Sequence, residues 1–392
     1  MNVRRITAEE RFEANLISTV AFHGRMENPE QVREKCGKDT VTEDWGAFDE
    51  NGKMMAHIIN NHYETWLDGT LIANGGIGGV STLPEYRNRG CIRAIFGQLL
   101  PEARRRGEVI STLYPFNHAF YRRFGYETVR VGNEYEFPPS VLAGYRFDGT
   151  AELWKPGDPV EEYTALYNRF ARGCNLSMRR DDKTMLETQL KGEYYRDRLF
   201  GYLLREAGKP VAYIIFQDIR HDPMAILAVS DLAWDGRAGL QAILGFLGRF
   251  TADYGTVRMY LPVCLDLLSI LQSPQAYDVR ETAVQGYMIR PVNVQKLLEV
   301  MHKPAGAEFV IRVEDDGQIP ENNGTWAVTL EAAAETDAAP DLTVSVQALG
   351  QLAAGSVSLA EAVYRPDVTV NRNREVLEQV FRRKPVLVQE HF

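Results

Sequence analysis

The sequence predicts an α/β (α+β) protein built from three consecutive units, and three observations carry this prediction. The length of 392 residues is more than one domain usually needs. Stretches with helical and with strand-like apolar periodicity alternate along the chain. Proline-containing breaks at 157–159 and 288–291 interrupt that pattern. We therefore divide the chain into residues 1–150, 151–287 and 288–392.

The first unit is predicted to open with a helix and three strands. A capping-box pattern, Thr7-x-x-Glu10, precedes apolar residues at helical spacing. Strand-like stretches follow at 44–48, 53–62 and 70–82. An Asn-Gly and an Asp-Gly pair separate these stretches and favour tight hairpins, so we expect the three strands to be antiparallel.

The rest of the first unit returns to helical periodicity. Apolar residues on one face predict a helix over 92–107, with a kink at Pro101 because proline has no N–H to donate. A strand at 108–114, a short helix near 117–124 and a strand from Tyr126 complete the unit.

The second unit repeats this order in outline. Its predicted helices cover 161–172, 181–191 and 239–254, and its predicted strands cover 199–206, 210–218 and 225–233. The turn at 235–239 lacks the basic cluster found at the corresponding place in the first unit. We therefore hypothesise a duplicated domain whose ligand site has decayed.

The third unit mixes short helices and strands. Strands are predicted at 308–313, 325–330 and 342–346, a loop at 331–340, and helices at 294–301, 346–353, 359–363 and 374–381. The last residues, 386–392, are unusually apolar. Because chain ends usually fray unless they are tied down, we expect this tail to be docked.

Composition and charge exclude several classes of protein. The net charge of −9 argues against non-specific nucleic-acid binding and mildly favours cationic partners. No window approaches ~20 apolar residues, and the first residues contain no apolar signal core, so we expect a cytoplasmic protein without a membrane partner. The four cysteines lie far apart without a C-x-x-C pair, so neither a disulfide framework nor a metal site is predicted.

The turn at 80–92 carries the clearest chemical signal. A strand leads into a helix that starts beside Gly90, where the first backbone N–H groups have no partner within the helix. The helix dipole and the side chains of Arg87, Arg89 and Arg93 add positive charge at the same end. This combination suits a pyrophosphate, although the turn lacks the signatures of a P-loop and of a dinucleotide-binding turn.

A second motif, F-Y-x-x-F-G-Y at 120–126, follows the next predicted strand and contains Tyr121. A phenol with a pKa near ~10 is protonated at neutral pH and can donate its proton to a departing thiolate. The alternative for Tyr121 is an aromatic side chain that only packs over the sheet.

The first motif resembles motif A of the GNAT N-acetyltransferases, R/Q-x-x-G-x-G/A, carried here as Arg87-x-x-Gly90-x-Ile92, with Ile92 in place of the final small residue. The second motif is also typical of that family. With both motifs, the three-unit layout and the terminal Phe392, the whole chain resembles the Eis-type (enhanced intracellular survival) acetyltransferases. That resemblance implies two tandem GNAT-like domains, the second without a working cofactor site, followed by a domain similar to sterol carrier proteins.

The resemblance also implies roles for individual residues. Tyr121 would protonate the leaving thiolate, and the carboxylate of Phe392 would accept the proton of the amine. The backbone of Val80 and Thr82 would hold the pantetheine of acetyl-CoA, and the N–H groups from Arg87 to Ile92 would hold its pyrophosphate. The full set of expected cofactor-binding residues is Val80, Ser81, Thr82, Arg87, Asn88, Arg89, Gly90, Cys91, Ile92 and Asn117.

The expected function is transfer of an acetyl group from acetyl-CoA to an amine by direct attack in a ternary complex, without a metal. Aminoglycosides, polyamines and protein lysines all remain open as polycationic acceptors, and the resemblance implies a homo-oligomer, a hexamer. The competing hypothesis is an apolar-ligand carrier with a vestigial transferase domain. A third, a protein-interaction scaffold, would leave the turn at Arg87–Gly90 without a purpose.

Overall fold

The computed structural model describes residues 1–36, 42–219, 224–271 and 278–390. Its strands form a twelve-stranded mixed sheet and a separate five-stranded sheet. The large sheet runs through the first two predicted units, and the small one belongs to the third. Among these residues, no helix has both the length and the apolar character needed to cross a bilayer.

The first unit contains the predicted elements in the predicted order, but it also has an opening strand at Asn2–Arg5 and a second helix at Pro29–Cys36 that the sequence analysis did not predict. Its helices are α1 (Arg11–Ala21), α2 (Pro29–Cys36), α3 (Cys91–Arg106) and α4 (His118–Arg122), and its strands are β1 (Asn2–Arg5), β2 (Thr42–Phe48), β3 (Met54–Leu67), β4 (Thr70–Thr82), β5 (Ile110–Leu113) and β6 (Glu127–Phe137). Strands β2, β3 and β4 pair antiparallel, as predicted. Helix α3 buries the expected apolar face and continues through Pro101. Helix α1 begins at Arg11, so the predicted capping box is only half formed: the Thr7 N–H donates to the Glu10 carboxylate, but no side chain caps the helix.

The second unit contains helices α5 (Glu161–Ala171), α6 (Asp182–Thr184), α7 (Gly236–Leu247) and α8 (Leu267–Ile270), and strands β7 (Thr150–Leu153), β8 (Leu199–Glu206), β9 (Lys209–Ile219), β10 (Ala225–Trp234) and β11 (Tyr254–Leu261). Strands β10 and β11 are parallel, as are β4 and β5 in the first unit. The helix predicted at 181–191 is instead the short α6 followed by a π-helical turn, Met185–Gln189.

One strand ties the units together. Strand β12 (Arg280–Pro291) spans the boundary predicted at 287/288 and inserts between β5 and β6 of the first unit. Strand β6 then pairs with β11 on its other edge, which makes the large sheet continuous. The sequence analysis did not predict this strand and placed a unit boundary within it, because pairing between strands so distant in sequence leaves no local signal.

The third unit contains helices α9 (Val294–Val300), α10 (Val346–Ala354), α11 (Leu359–Ala362) and α12 (Arg374–Val380), and strands β13 (Phe309–Glu314), β14 (Gly324–Val328), β15 (Ala333–Glu335), β16 (Leu342–Ser345) and β17 (Val368–Val370). The stretch predicted as a loop at 331–340 contains β15, which pairs with β14. Apolar residues of this unit form one core with the adjoining face of β5, β6 and β12.

The last described segment is docked, as its apolar sequence predicts. Val386 and Leu387 are buried. The Val388 N–H donates to the carbonyl of Val131 on β6, and the Leu387 N–H donates to the carbonyl of Asn175 in the second unit. The tail therefore runs along the junction of the first two units.

Candidate active site

A widened turn between β4 and α3 forms the candidate anion site. After β4 ends at Thr82, a short 3₁₀ turn at Pro84–Tyr86 precedes Gly90, which adopts a left-handed φ of 78° immediately before the helix. A Cβ at Gly90 would have no heavy atom within 4 Å. Glycine is favoured by that backbone conformation, and the open space beside it gives a ligand direct access to the start of the helix.

A cleft of about 920 Å³ surrounds this turn. The predicted cofactor residues that line it are Val80, Thr82, Arg87, Asn88, Arg89, Gly90, Cys91 and Ile92. The structure thus brings together eight residues that the family resemblance assigned to one ligand. Phe22 of the segment after α1 and Phe116, Phe120 and Arg123 near α4 also line the cleft; none of these was among the predicted cofactor residues.

Two predicted cofactor residues do not line the cleft. Ser81 is buried, and its hydroxyl lies 3.2 Å from that of Ser18 on α1. Its side chain faces away because successive residues of a strand alternate between faces. The Asn117 side chain caps α4 by accepting a hydrogen bond from the Phe120 N–H at 3.0 Å. Two local signals could have shown this from the sequence: the alternation of side chains along the strand for Ser81, and the position at the start of a helix for Asn117.

The sheet opens next to the cleft. Pairing between β4 and β5 ends at Ile77 and Leu113, whereas β4 continues to Thr82. Val80 and Thr82 therefore extend past the end of their parallel neighbour. Their backbone can accept an extended ligand as an additional strand.

The electrostatic field of the cleft is positive. In the described part of the chain, no carboxylate forms an ion pair with Arg87, Arg89 or Arg93. The acidic Glu85 is instead paired with Lys53 at 3.3 Å. The guanidinium groups and the positive end of the sixteen-residue helix α3 consequently act together on an anion.

Tyr121 lies on α4, the helix that follows β5, and it is not among the described residues that line the cleft. Its ring packs edge-on against Phe96, Phe116 and Phe120, with ring centroids 6.4, 5.3 and 5.1 Å away. The side chain is almost wholly buried, and this burial raises the pKa of Tyr121 above its usual range. The hydroxyl is therefore protonated throughout the physiological pH range.

The segment after Tyr121 is held from the third unit. Fully buried Arg290 on β12 donates to the carbonyl of Phe124 and pairs with Asp316 at 2.5 Å. Gly125 has a left-handed φ of 84°, and a Cβ there would meet the Arg290 guanidinium at 2.9 Å. Glycine in the F-Y-x-x-F-G-Y motif thus leaves space for the Arg290 guanidinium.

The tail reaches the same end of the first unit. Tyr114, which follows β5, donates a hydrogen bond to the backbone carbonyl of Glu390 at 2.6 Å. The Glu390 carboxylate accepts from the Tyr167 hydroxyl at 2.6 Å and from Arg180 Nε at 2.9 Å. Sequence reasoning missed Tyr114, Arg180 and Glu390, because their proximity depends on residues more than a hundred positions apart. Phe392, predicted to be catalytic, lies outside the described residues.

Comparisons with known proteins agree with this architecture. Residues 2–129 match the sequence model of the acetyltransferase (GNAT) domain, and residues 294–388 match that of the sterol carrier protein domain. Solved structures with the same fold include a GCN5-related N-acetyltransferase from Anabaena variabilis, with a TM-score of 0.84, and Eis1 from Mycobacterium abscessus, with a TM-score of 0.83. Each is 20% identical to this chain, and in each pair all of both chains is covered.

The fold is that of the Eis-type GNAT acetyltransferases. The resemblance expected from the two motifs is thereby confirmed, and the first unit carries an acetyltransferase domain. Among curated relatives, an uncharacterized N-acetyltransferase of Streptomyces avermitilis is 26% identical over 74% of each chain. One from Streptomyces griseus is 28% identical over 128 residues, and that match spans only 30% of its length.

The described residues contain no group of three or more histidine, cysteine, aspartate or glutamate side chains arranged to hold a metal ion. In this Eis-type fold, the residues that line the cleft are cationic, aromatic and backbone groups. They fit the diphosphate and the extended pantetheine of acetyl-CoA, since an Arg-rich helix start binds the former and an open strand edge the latter.

Proposed function

We propose that the protein is an N-acetyltransferase that moves an acetyl group from acetyl-CoA to an amine of a polycationic acceptor. One observation carries the proposal: the arginine-rich start of α3 lines a single cleft together with Phe116 and Phe120, the two aromatic residues against which the ring of Tyr121 packs. The helix start holds the pyrophosphate, Val80 and Thr82 hold the pantetheine, and the thioester then lies towards α4.

In the proposed reaction, both substrates are bound together. The neutral amine attacks the thioester carbonyl, a C–N bond forms, and the C–S bond breaks as the tetrahedral intermediate collapses. Tyr121 donates its proton to the leaving thiolate and regains one from solvent. The proton lost by the amine balances the one gained by coenzyme A, so the overall reaction gives an amide and a thiol.

The family resemblance assigns the proton-accepting role to the Phe392 carboxylate. An α-carboxyl has a pKa near ~3.5 and a lysine-like amine near ~10.4, so direct transfer between them is uphill by roughly seven units. Neighbouring positive charges on a polyamine or aminoglycoside lower the pKa of the reacting amine and reduce that gap. We therefore propose that the carboxylate mainly positions the ammonium group and accepts its proton through water.

Under this proposal, each of the three units has a different role. Residues 1–150 bind acetyl-CoA, residues 151–287 form a GNAT-like unit without a cofactor site, and residues 288–392 carry the tail. The start of α7 supports the second assignment, because Asp235 replaces the arginine-rich turn there and a Cβ at Gly239 would lie 2.2 Å from the Val211 carbonyl oxygen.

We further propose a cytoplasmic homo-oligomer, a hexamer by resemblance. The cysteines Cys36, Cys91, Cys174 and Cys264 are all free, which is usual in a reducing compartment. Light scattering of the purified protein tests the oligomeric state, and a monomeric mass would contradict this part of the proposal.

The deciding experiment is release of free thiol from acetyl-CoA near pH 8, with a panel of aminoglycosides, polyamines and lysine-containing peptides. Release that depends on one class of amine would support the proposal and identify the acceptor. A variant without Phe392 should bind acetyl-CoA normally but turn over slowly. Failure of the wild-type protein to bind acetyl-CoA would overturn the proposal and favour an apolar-ligand carrier.

A further inference from the structure

The C-terminal segment is fixed by a buried charge cluster of the second unit. Arg180 is fully buried; its Nη1 lies 2.8 Å from Asp231 Oδ2 on β10, and its Nε donates to Glu390 Oε1 at 2.9 Å. Its guanidinium also stacks over the ring of Tyr167 on α5, 3.6 Å from the centroid. One arginine therefore joins an acid of the second unit to an acid of the tail.

Both carboxylates have additional donors. The Tyr167 hydroxyl donates to Glu390 Oε1, and the Tyr213 hydroxyl donates to Asp231 Oδ2, each at 2.6 Å. Asn168 in turn fixes the backbone at Arg180. Its side-chain amide donates a hydrogen bond to the Arg180 carbonyl and accepts one from the Arg180 N–H. Burying two carboxylates and a guanidinium is costly unless the geometry is held in this way.

Glu390 itself connects the two units. Among the described residues, its carboxylate accepts hydrogen bonds from second-unit donors and from the neighbouring Gln389 N–H, whereas its backbone carbonyl accepts from Tyr114 of the first unit. Its Oε1 receives bonds from Tyr167 and Arg180, and its side chain is only 12% exposed. A carboxylate held in this manner is an anchor for the chain rather than a free group for a substrate cation.

We propose that Arg180 is a positioning residue that fixes the C-terminal segment beside the acetyl-transfer site through Glu390. The inference rests on the proposed function, in which the tail takes part in acetyl transfer. It gives the second unit a role of its own: the described residues of this unit supply the dock for the tail. Misplacing a reacting group by about 1 Å can cost about a hundredfold in rate.

Hydrogen exchange at the Leu387 and Val388 amides measures the docking directly, since both amides donate across the junction. In Arg180→Met, exchange at these two amides should accelerate about a hundredfold, while the amides of β9 stay protected. Turnover should fall by a similar factor with little change in the KM for acetyl-CoA. Arg196→Met is the matched control, because Arg196 is an exposed arginine of the same unit. In this variant, exchange at the Leu387 and Val388 amides and turnover should equal those of the wild type.

Two milder variants guard against a folding defect in Arg180→Met. Glu390→Gln leaves Arg180 paired with Asp231, and Tyr167→Phe removes one hydroxyl; both should accelerate tail exchange to an intermediate degree. Unchanged exchange at Leu387 and Val388 in both milder variants and in a folded Arg180→Met would overturn the proposal.

Combination with deletion of Phe392 tests whether Arg180 acts through the tail. The double variant should turn over no more slowly than the deletion alone. If the losses in turnover caused by the two single changes multiply in the double variant, Arg180 does not act through the tail, and the inference is overturned. If the wild-type protein transfers no acetyl group at all, the proposed function fails, yet exchange still decides whether Arg180 docks the tail.

Discussion

The first two units run a strand into a helix in the same topology, but only the first leaves room between them. In the first unit, residues 83–90 separate β4 from α3 and form the cleft wall. In the second, Asp235 alone separates β10 from α7. The Asp235 N–H is already bonded to the Val211 carbonyl, and α7 packs tightly on β9 through Gly239.

A second pair of elements repeats the comparison. Helix α4 follows β5 and is capped by the side chain of Asn117, while α8 follows β11 and is capped by that of Asp266. Counted from the cap, the position of Tyr121 in the first unit is held by Ile270 in the second. At these two described positions, the second unit therefore has neither a widened basic turn nor a tyrosine equivalent to Tyr121.

This difference shows that the topology is neutral with respect to function. The proposed cofactor site depends on a longer turn, on glycine at its end and on arginine side chains that form no ion pair with a carboxylate among the described residues. The second unit uses the same topology to build a packed core and the dock for the tail.

The largest effect is expected from Tyr121→Phe. Losing the proton donor should lower turnover about a hundredfold, a typical contribution of general acid catalysis, while the acetyl-CoA affinity changes little. Steady-state kinetics and equilibrium binding measure the two quantities. Tyr145→Phe is the matched control, because the Tyr145 hydroxyl bonds the carbonyl of Ile270 at the equivalent helix; equal losses in both variants would remove Tyr121 from the acid role.

The pH profile sharpens the same assignment. Burial raises the pKa of Tyr121, so its hydroxyl stays protonated up to pH 10. Loss of turnover through ionisation of this hydroxyl can therefore begin only above pH 10. Turnover of the wild-type protein should therefore rise or stay level from pH 7 to pH 10, as more amine becomes neutral. A fall in turnover below pH 9 in a protein that remains folded would contradict the role of Tyr121.

Gly90→Val should have the next largest effect. A β-branched residue is strained at a left-handed φ and would project into the cleft, so acetyl-CoA affinity should weaken about thirtyfold. Isothermal titration calorimetry checks this. Gly97→Ala, on the exposed side of α3 with nothing within 4 Å of the new Cβ, should leave the affinity unchanged; an equal loss there would point to a general helix defect.

Arg87→Gln should weaken acetyl-CoA binding about tenfold, since a charge-assisted hydrogen bond contributes roughly 1.5–3 kcal/mol before screening. The salt dependence of binding should also become less steep. The corresponding change in the second unit, Arg237→Gln, should alter neither quantity because α7 has no cleft at its start. Equal effects in both variants would mean that overall charge, not the turn, attracts the cofactor.

Gly239→Ala should have the smallest effect on function and act on stability alone. Its Cβ would lie 2.2 Å from a backbone oxygen, and relieving that overlap should lower the free energy of unfolding by about 1–3 kcal/mol. Chemical denaturation measures this loss, while the folded variant should bind acetyl-CoA like the wild type. A weakened affinity would indicate that the second unit does influence the cofactor site.

Local patterns predicted much of the first unit and its cofactor turn. The amphipathic face of α3 and the turn signals between β2, β3 and β4 are both present in the structure. The position of β12 between β5 and β6 was not predictable, because its partners are far away in sequence. Ser81 was assigned to the cleft by the family resemblance, although strand alternation, a local signal, points its side chain towards Ser18.

By itself, the sequence determined most of the element types, the basic turn before α3 and the Tyr121 motif, because these follow from periodicity, glycine conformation and local charge. Only the tertiary structure decided how the tail is held. The Arg180–Glu390 contact joins residues 210 positions apart, and no local preference encodes such a pair. Burial makes the contact specific, since a charge removed from water is stable only where its partners are already in place.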